Sequence, residues 1–306
     1  MEYPLWVWGA FNLSILALLA VDLFILHKES KEMGIKEALY TSAGWISLAL
    51  LFNLGLYYFK GETTALNFFT GYLIEKALSI DNLFVFLIIF EHFKTPKQYQ
   101  HKVLFWGILG AIVMRALFIF FGIALVHRFH WILYLFGAFL IWAGIQMAFF
   151  HSKEIQPEEN IVLKLIRKVA PFTETYRNGF FFVVEKGKRY ATPLFLVLLA
   201  IEMTDVIFAI DSIPAIMAIT LDPFIIYTSN IFAILGLRSL YFALSGLAGL
   251  FHYLHYGLGA VLCFVGAKMV LEPWIEIPTA LSLGFIVVAL AAAMISGRRD
   301  LRDKEQ

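Results

Sequence analysis

The chain has 306 residues, of which 60% are hydrophobic and only 15% charged, with 24 Lys and Arg against 23 Asp and Glu. Soluble domains carry about a quarter charged residues, so this composition excludes a soluble core and points to an all-α polytopic membrane protein. A single cysteine, Cys263, excludes an intrachain disulfide, a paired-thiol redox motif and a thiolate-rich metal site, and a formal charge of +1 gives no reason to expect a nucleic-acid partner.

In chain order, apolar runs of about 20 residues, the length of one bilayer crossing, lie at 5–26, 38–59, 66–90, 103–126, 131–150, 193–219, 224–250, 256–271 and 277–296. Nine spans are therefore expected. The N-terminus lacks the basic region of a cleaved leader, so the first run is expected to stay in the mature chain. With the N-terminus outside, the inner loops hold Lys28, Lys31 and Lys36, then Lys94, Lys97 and Lys102. The linker 151–192 adds eight basic residues and the tail adds Arg298, Arg299, Arg302 and Lys304. The outer loops hold only Lys60 and Arg128. An excess of 18 to two places the N-terminus out and the C-terminus in. His127 and His130 then fall at the outer face and His252 and His255 at the inner one, too far apart for one metal site.

The linker carries Ile161, Val162, Leu165, Ile166 and Val169 at helical spacing opposite Lys164, Arg167 and Lys168, which predicts a short helix on the inner membrane face. The run from Phe180 to Tyr190 predicts a small hairpin turning at Lys186-Gly187.

Two spans carry acids where acids are costly. Glu75-Lys-Ala-Leu-Ser-Ile-Asp-Asn82 and Asp205-Val-Ile-Phe-Ala-Ile-Asp-Ser212 each place two carboxylates six residues apart, and a charge at the bilayer centre costs roughly 2.5–3.5 kcal/mol. The two segments align at an offset of 130. Downstream, Arg115 matches Arg238 at an offset of 123, while His130, Gly137, Gly144 and Met147 match His252, Gly259, Gly266 and Met269 at 122. Three spans repeat, and an odd-numbered unit following its copy must enter the membrane from the opposite side, the inverted plan of secondary transporters. The chain thus divides into two N-terminal helices (1–60), a first repeat (61–150), a basic inner linker (151–192), a second repeat (193–271) and a last helix with a basic tail (272–306).

Glu75, Asp81, Asn82, Glu202, Asp205, Asp211 and Ser212 offer only hard oxygen ligands, which suit Mg2+, Ca2+ or Mn2+. On an unbroken helix Asp81 lies about 120° from Glu75, so convergence calls for a local break. Pro214, which cannot donate to the Ile210 carbonyl, predicts one in the second copy. Lys76, Arg115 and Arg238 are candidate charge partners, and a structural role through these pairs competes with an ion pathway. Asp22, near the inner end of the first span, is a candidate gate acid. Met203, beside Glu202, is a candidate soft ligand, though a packing role is the simpler reading. An intramembrane aspartyl protease is disfavoured by the number of extra acids.

These motifs, with Glu202-Met-Thr-Asp-Val-Ile-Phe-Ala-Ile-Asp-Ser-Ile-Pro-Ala215, Arg189-Tyr-Ala-Thr-Pro193 and Asp22, resemble the signatures of TerC/Alx integral membrane proteins, within the LysE-type transporter superfamily. The resemblance covers nearly the whole chain. It implies export of a divalent metal, chiefly Mn2+, across a bacterial inner (cytoplasmic) membrane, with Glu75, Asp81, Asn82, Glu202, Asp205 and Asp211 handling the ion. The expectation is therefore a transporter and not an enzyme, with no permanently bound cofactor and Mn2+, or Ca2+, as cargo. Partners would be membrane lipid and the ion itself. The alternative is an interaction protein that delivers metal to, or docks, secretion machinery through 151–192. Amino-acid export is disfavoured, because five acids suit a cation better than a zwitterion's carboxylate.

Overall fold

The computed structural model describes residues 3–21, 34–149, 171–185, 187–244, 254–275 and 277–304. The helices are α1 (Leu5–Val21), α2 (Ile35–Lys60), α3 (Glu62–His92), α4 (Lys97–Arg128) and α5 (Ile132–Phe149). A hairpin follows, β1 (Phe182–Glu185) and β2 (Lys188–Ala191). Then come α6 (Pro193–Met217), α7 (Pro223–Leu235), α8 (Leu237–Leu244), α9 (Leu254–Leu271) and α10 (Thr279–Lys304). Each of the nine expected runs contains a helix. Among the described residues seven helices are long and apolar enough to cross a membrane, counting α7 and α8 as one. Of the others, α1 is apolar but has 17 residues, and α3 has 31 but carries Glu75, Lys76 and Asp81.

Local chemistry sets the corners. Gly61, at φ +92°, ends α2 and starts α3 in one residue, a backbone setting that side chains resist. Pro193 and Pro223 open α6 and α7, where the missing N–H is lost at no cost. Asp222 caps α7 by accepting from the Phe224 and Ile225 N–H groups at 2.9 and 3.4 Å.

The α7–α8 unit is the centre of the bundle, with 94% of its 18-residue apolar window buried, and α2, α3 and α4 pack around it. The periphery exposes large apolar side chains, among them Trp6, Tyr58, Phe59, Phe121, Trp131 and Trp274. So wide an apolar surface is unsuited to water and fits lipid contact. The most extensive helix–helix contact among the described residues is between α5 and α9. A β-carbon on Gly144 would sit 2.6 Å from the Gly259 carbonyl oxygen, and one on Gly259 would sit 2.6 Å from that of Gly144. Gly137 and Gly266 face each other in the same way, at 2.9 and 2.6 Å. Only glycine permits such backbone approach, the usual device where helix association in lipid relies on van der Waals contact.

The hairpin over 182–191 forms where the sequence places it, with Gly187 at φ +77° in its turn. It is strapped to the α3–α4 corner. Tyr176 donates to the Phe93 carbonyl at 2.7 Å, and Lys102 donates to the Gly179 carbonyl at 2.7 Å beneath the rings of Phe180 and Phe181. The amphipathic stretch around Ile161–Val169 and the gate candidate Asp22 lie outside the described residues.

The expected breaks are not where the sequence puts them. α3 runs unbroken past both Glu75 and Asp81, and α6 runs unbroken through Pro214. Pro214 stands three residues from the end of α6, where a proline removes one helical bond without a following turn to disrupt. The interruption falls instead at Gly236, between α7 and α8.

Candidate ion-binding site

The site is built around Arg115, which lies mid-way along α4 and is completely buried. Its Nε donates to Asp205 Oδ2 at 3.2 Å and its Nη2 to Asp205 Oδ1 at 2.9 Å, a two-point fork that fixes both orientation and distance. Its Nη1 donates to Glu75 Oε1 and, at 3.1 Å, to Asn230 Oδ1. Helices α3, α6 and α7 are thereby joined through one side chain of α4. Glu75 is fully buried, and Asp205 nearly so. Charge of either sign is tolerated at such depth only in a pair of this kind.

Several buried polar atoms on these three helices have no hydrogen-bond partner among the described residues: Glu75 Oε2, Ser79 Oγ, Ser212 Oγ and Asn230 Nδ2. Asn82 is buried on α3, two turns from Glu75. Glu202, one turn before Asp205 on α6, is half-buried and lies against the backbone of α4, because a β-carbon on Gly110 would overlap its carboxylate. Asp211 and Met203 are also half-buried on α6. The side chain of Asp81 lies outside those described.

The three candidate cations have different fates. Arg115 takes the acids. Lys76 turns away and donates to the Ala233 carbonyl at 3.1 Å, close to the Gly236 break, where the end of α7 exposes carbonyls. Arg238 is buried at the start of α8. Among the described residues no three Asp, Glu, His or Cys side chains cluster as a metal site. The arrangement instead brings one acid from each motif to a shared guanidinium. Asn230 was missed by motif reading, although Thr228-Ser229-Asn230, all fully buried, is a run of three polar residues in an apolar span.

Beyond Arg115, toward the His127 end of α4, is a cavity of about 480 Å3. Its lining includes Trp8, Phe120, Ile123 and Phe224 together with the polar Asp222 and His127.

Residues 60–305 match the model of the Integral membrane protein TerC family. An uncharacterised membrane protein of Myxococcus xanthus is 48% identical over 290 residues, covering 95% of this chain and 91% of the relative. A protein of Escherichia coli K12, named as a proposed membrane-bound redox modulator, Alx, is 45% identical over 298 residues, covering 94% and 93%. A membrane protein of Rickettsia bellii is 41% identical over 300 residues, covering 97% and 99%. No solved structure matches the chain. With a family model spanning most of its length and relatives this similar from end to end, the chain belongs to the TerC family of integral membrane proteins.

Proposed function

We propose that the chain is a secondary transporter that exports a divalent cation, Mn2+ foremost, from the cytoplasm across a bacterial inner membrane. The observation that carries this reading is the meeting of Glu75 and Asp205 at one buried guanidinium. These two acids are related by the offset of 130, so corresponding positions of the two motifs converge at the bundle centre. Acids buried in apolar spans are retained where they handle ions or protons.

The architecture that goes with this reading is nine spans containing an inverted three-helix repeat, N-terminus out and C-terminus in. The offset of 122 relates Gly137 to Gly259 and Gly144 to Gly266, and the contacts run crosswise, 137 with 266 and 144 with 259, as a two-fold relation demands. The basic residues favour the side of the strap as the inner side. The cavity beside His127 would then be the outer mouth. Mn2+ and protons would compete for the same carboxylate oxygens, coupling efflux to proton entry. The chain acts here as a carrier without an enzyme's chemistry or a resident cofactor.

The relatives named for redox modulation give a second reading, yet Cys263, whose thiol donates to the Ile141 carbonyl at 3.6 Å, has no second thiol to pair with in this chain. A docking role for the linker is favoured by one observation, the exposed Phe180, Phe182 and Val184 on the hairpin. Mn2+ flux into inverted vesicles under a pH gradient tests the transporter. The Asp81→Asn, Asp211→Asn double variant should abolish it, and equal flux in variant and wild type would sink the proposal.

A further inference from the structure

Four oxygens from three helices converge on the Arg115 guanidinium: Glu75 Oε1, both Asp205 oxygens and Asn230 Oδ1. They are carboxylate and amide oxygens, with no nitrogen or sulfur ligand. This is the donor set of a hard divalent cation, here gathered around a cationic side chain. Four of the five guanidinium N–H groups are engaged. Yet among the described residues Glu75 Oε2, on a fully buried carboxylate, has no partner, and neither have Ser79 Oγ and Ser212 Oγ on the helices of Glu75 and Asp205. Folded interiors leave few such atoms, and each calls for an explanation. A free oxygen on a carboxylate whose other oxygen is already engaged is what remains when a one-centre donor fills a place made for an ion with more ligands.

We infer that the Arg115 guanidinium is a tethered stand-in for the transported cation, that the two compete for Glu75 and Asp205, and that the Asn230 carbonyl is the ion's neutral ligand. The inference rests on the transporter reading above. Two buried carboxylates left without a cation would be prohibitively unfavourable, so the ion-free protein must neutralise them. Arg115 does so. With an ion between the acids, guanidinium and metal would stand as like charges in contact, so the arginine has to withdraw. Its return then expels the ion. Apparent affinity is the intrinsic affinity reduced by the fraction of time the arginine is away, which keeps binding weak enough for release, as conduction requires.

The test uses the full chain in lipid nanodiscs with Mn2+ alone as probe, free Mn2+ being counted by electron paramagnetic resonance. Arg115→Gln should bind Mn2+ at least about tenfold more tightly than wild type, since the competitor is gone. Asn230→Ala should bind about tenfold more weakly, both alone and combined with Arg115→Gln. Equal or weaker binding by a folded Arg115→Gln protein would overturn the stand-in, and unchanged binding by Asn230→Ala would overturn the ligand assignment. Should Arg115→Gln not fold, hydrogen exchange of wild type decides. Saturating Mn2+ should speed exchange in α4 around Arg115 while slowing it in α3 and α6, and uniform slowing of all three overturns the inference. A Glu75→Gln, Asp205→Asn double variant separates the two levels. If it keeps wild-type Mn2+ binding, the cation-site reading itself fails. If it loses binding while Arg115→Gln gains none, the stand-in alone fails.

Discussion

Arg115 holds Asp205 by two parallel N–H···O contacts at 2.9 and 3.2 Å, and both residues are buried. Removing the carboxylate charge leaves a buried guanidinium with only Glu75 to balance it. Asp205→Asn should therefore destabilise the protein by about 3–5 kcal/mol, the usual cost of orphaning one partner of a buried pair. Thermal unfolding in detergent measures this. A loss under about 1 kcal/mol would mean that Arg115 finds another acid.

Gly144 and Gly259 set a different constraint, since each excludes a side chain on the other. Gly144→Val should lower stability by about 1–3 kcal/mol, as overpacking does, and Gly259→Val should match it. Gly55 has no neighbour within 4 Å of its would-be β-carbon, so Gly55→Ala serves as the control with an unchanged or slightly higher melting temperature.

Gly110 separates stability from the proposed transport. The atoms that a methyl there would strike belong to the free end of the Glu202 side chain, which can rotate away. Gly110→Ala should leave the melting temperature within the change expected for about 1 kcal/mol while reducing Mn2+ flux several-fold. Unaltered flux would show that the placement of Glu202 is irrelevant to transport.

The strap has a pH signature. Burial raises the Tyr176 hydroxyl above its ordinary value of 10.0, because the phenolate would lose solvation, with its contact to Thr95 acting weakly the other way. The folded form thus holds the proton more tightly than the unfolded. The stabilisation is complete below pH 10 and is lost as pH rises through the folded value. Proteolysis between 171 and 192 should be flat from about pH 7 to 9 and accelerate above about 10. Tyr176→Phe, lacking the bond to the Phe93 carbonyl, should be cut faster throughout and without that step.

Intramembrane charges are rare enough that Glu75, Arg115 and Asp205 stand out of the sequence unaided, and the offset of 130 already pairs the two acids. Which cation serves them is not legible. Lys76, Arg115 and Arg238 all carry a positive charge, and only the packing of α4 against α6 and α7, with the Arg115 side chain reaching Glu75 on α3, selects Arg115. The interruption at Gly236 was hidden for a similar reason. Its freed carbonyl at Ala233 is satisfied by Lys76 from another helix, a tertiary compensation without a local signal. Pro214, the visible helix breaker, sits too near the end of α6 to break anything. The hairpin was readable because Lys186-Gly187 lies between two β-prone runs.

The crossed glycines have one more implication under the repeat proposed above. Exchanging the two halves carries the contact of 137 with 266 into that of 259 with 144, so the α5–α9 interface is its own image. If inward-facing and outward-facing forms arise by the halves trading shapes, every other interface must repack, while this one is already correct for both. The four glycines would serve as a keel, invariant through the cycle, since the points where the two backbones meet carry no rotamers that could register which way the protein faces.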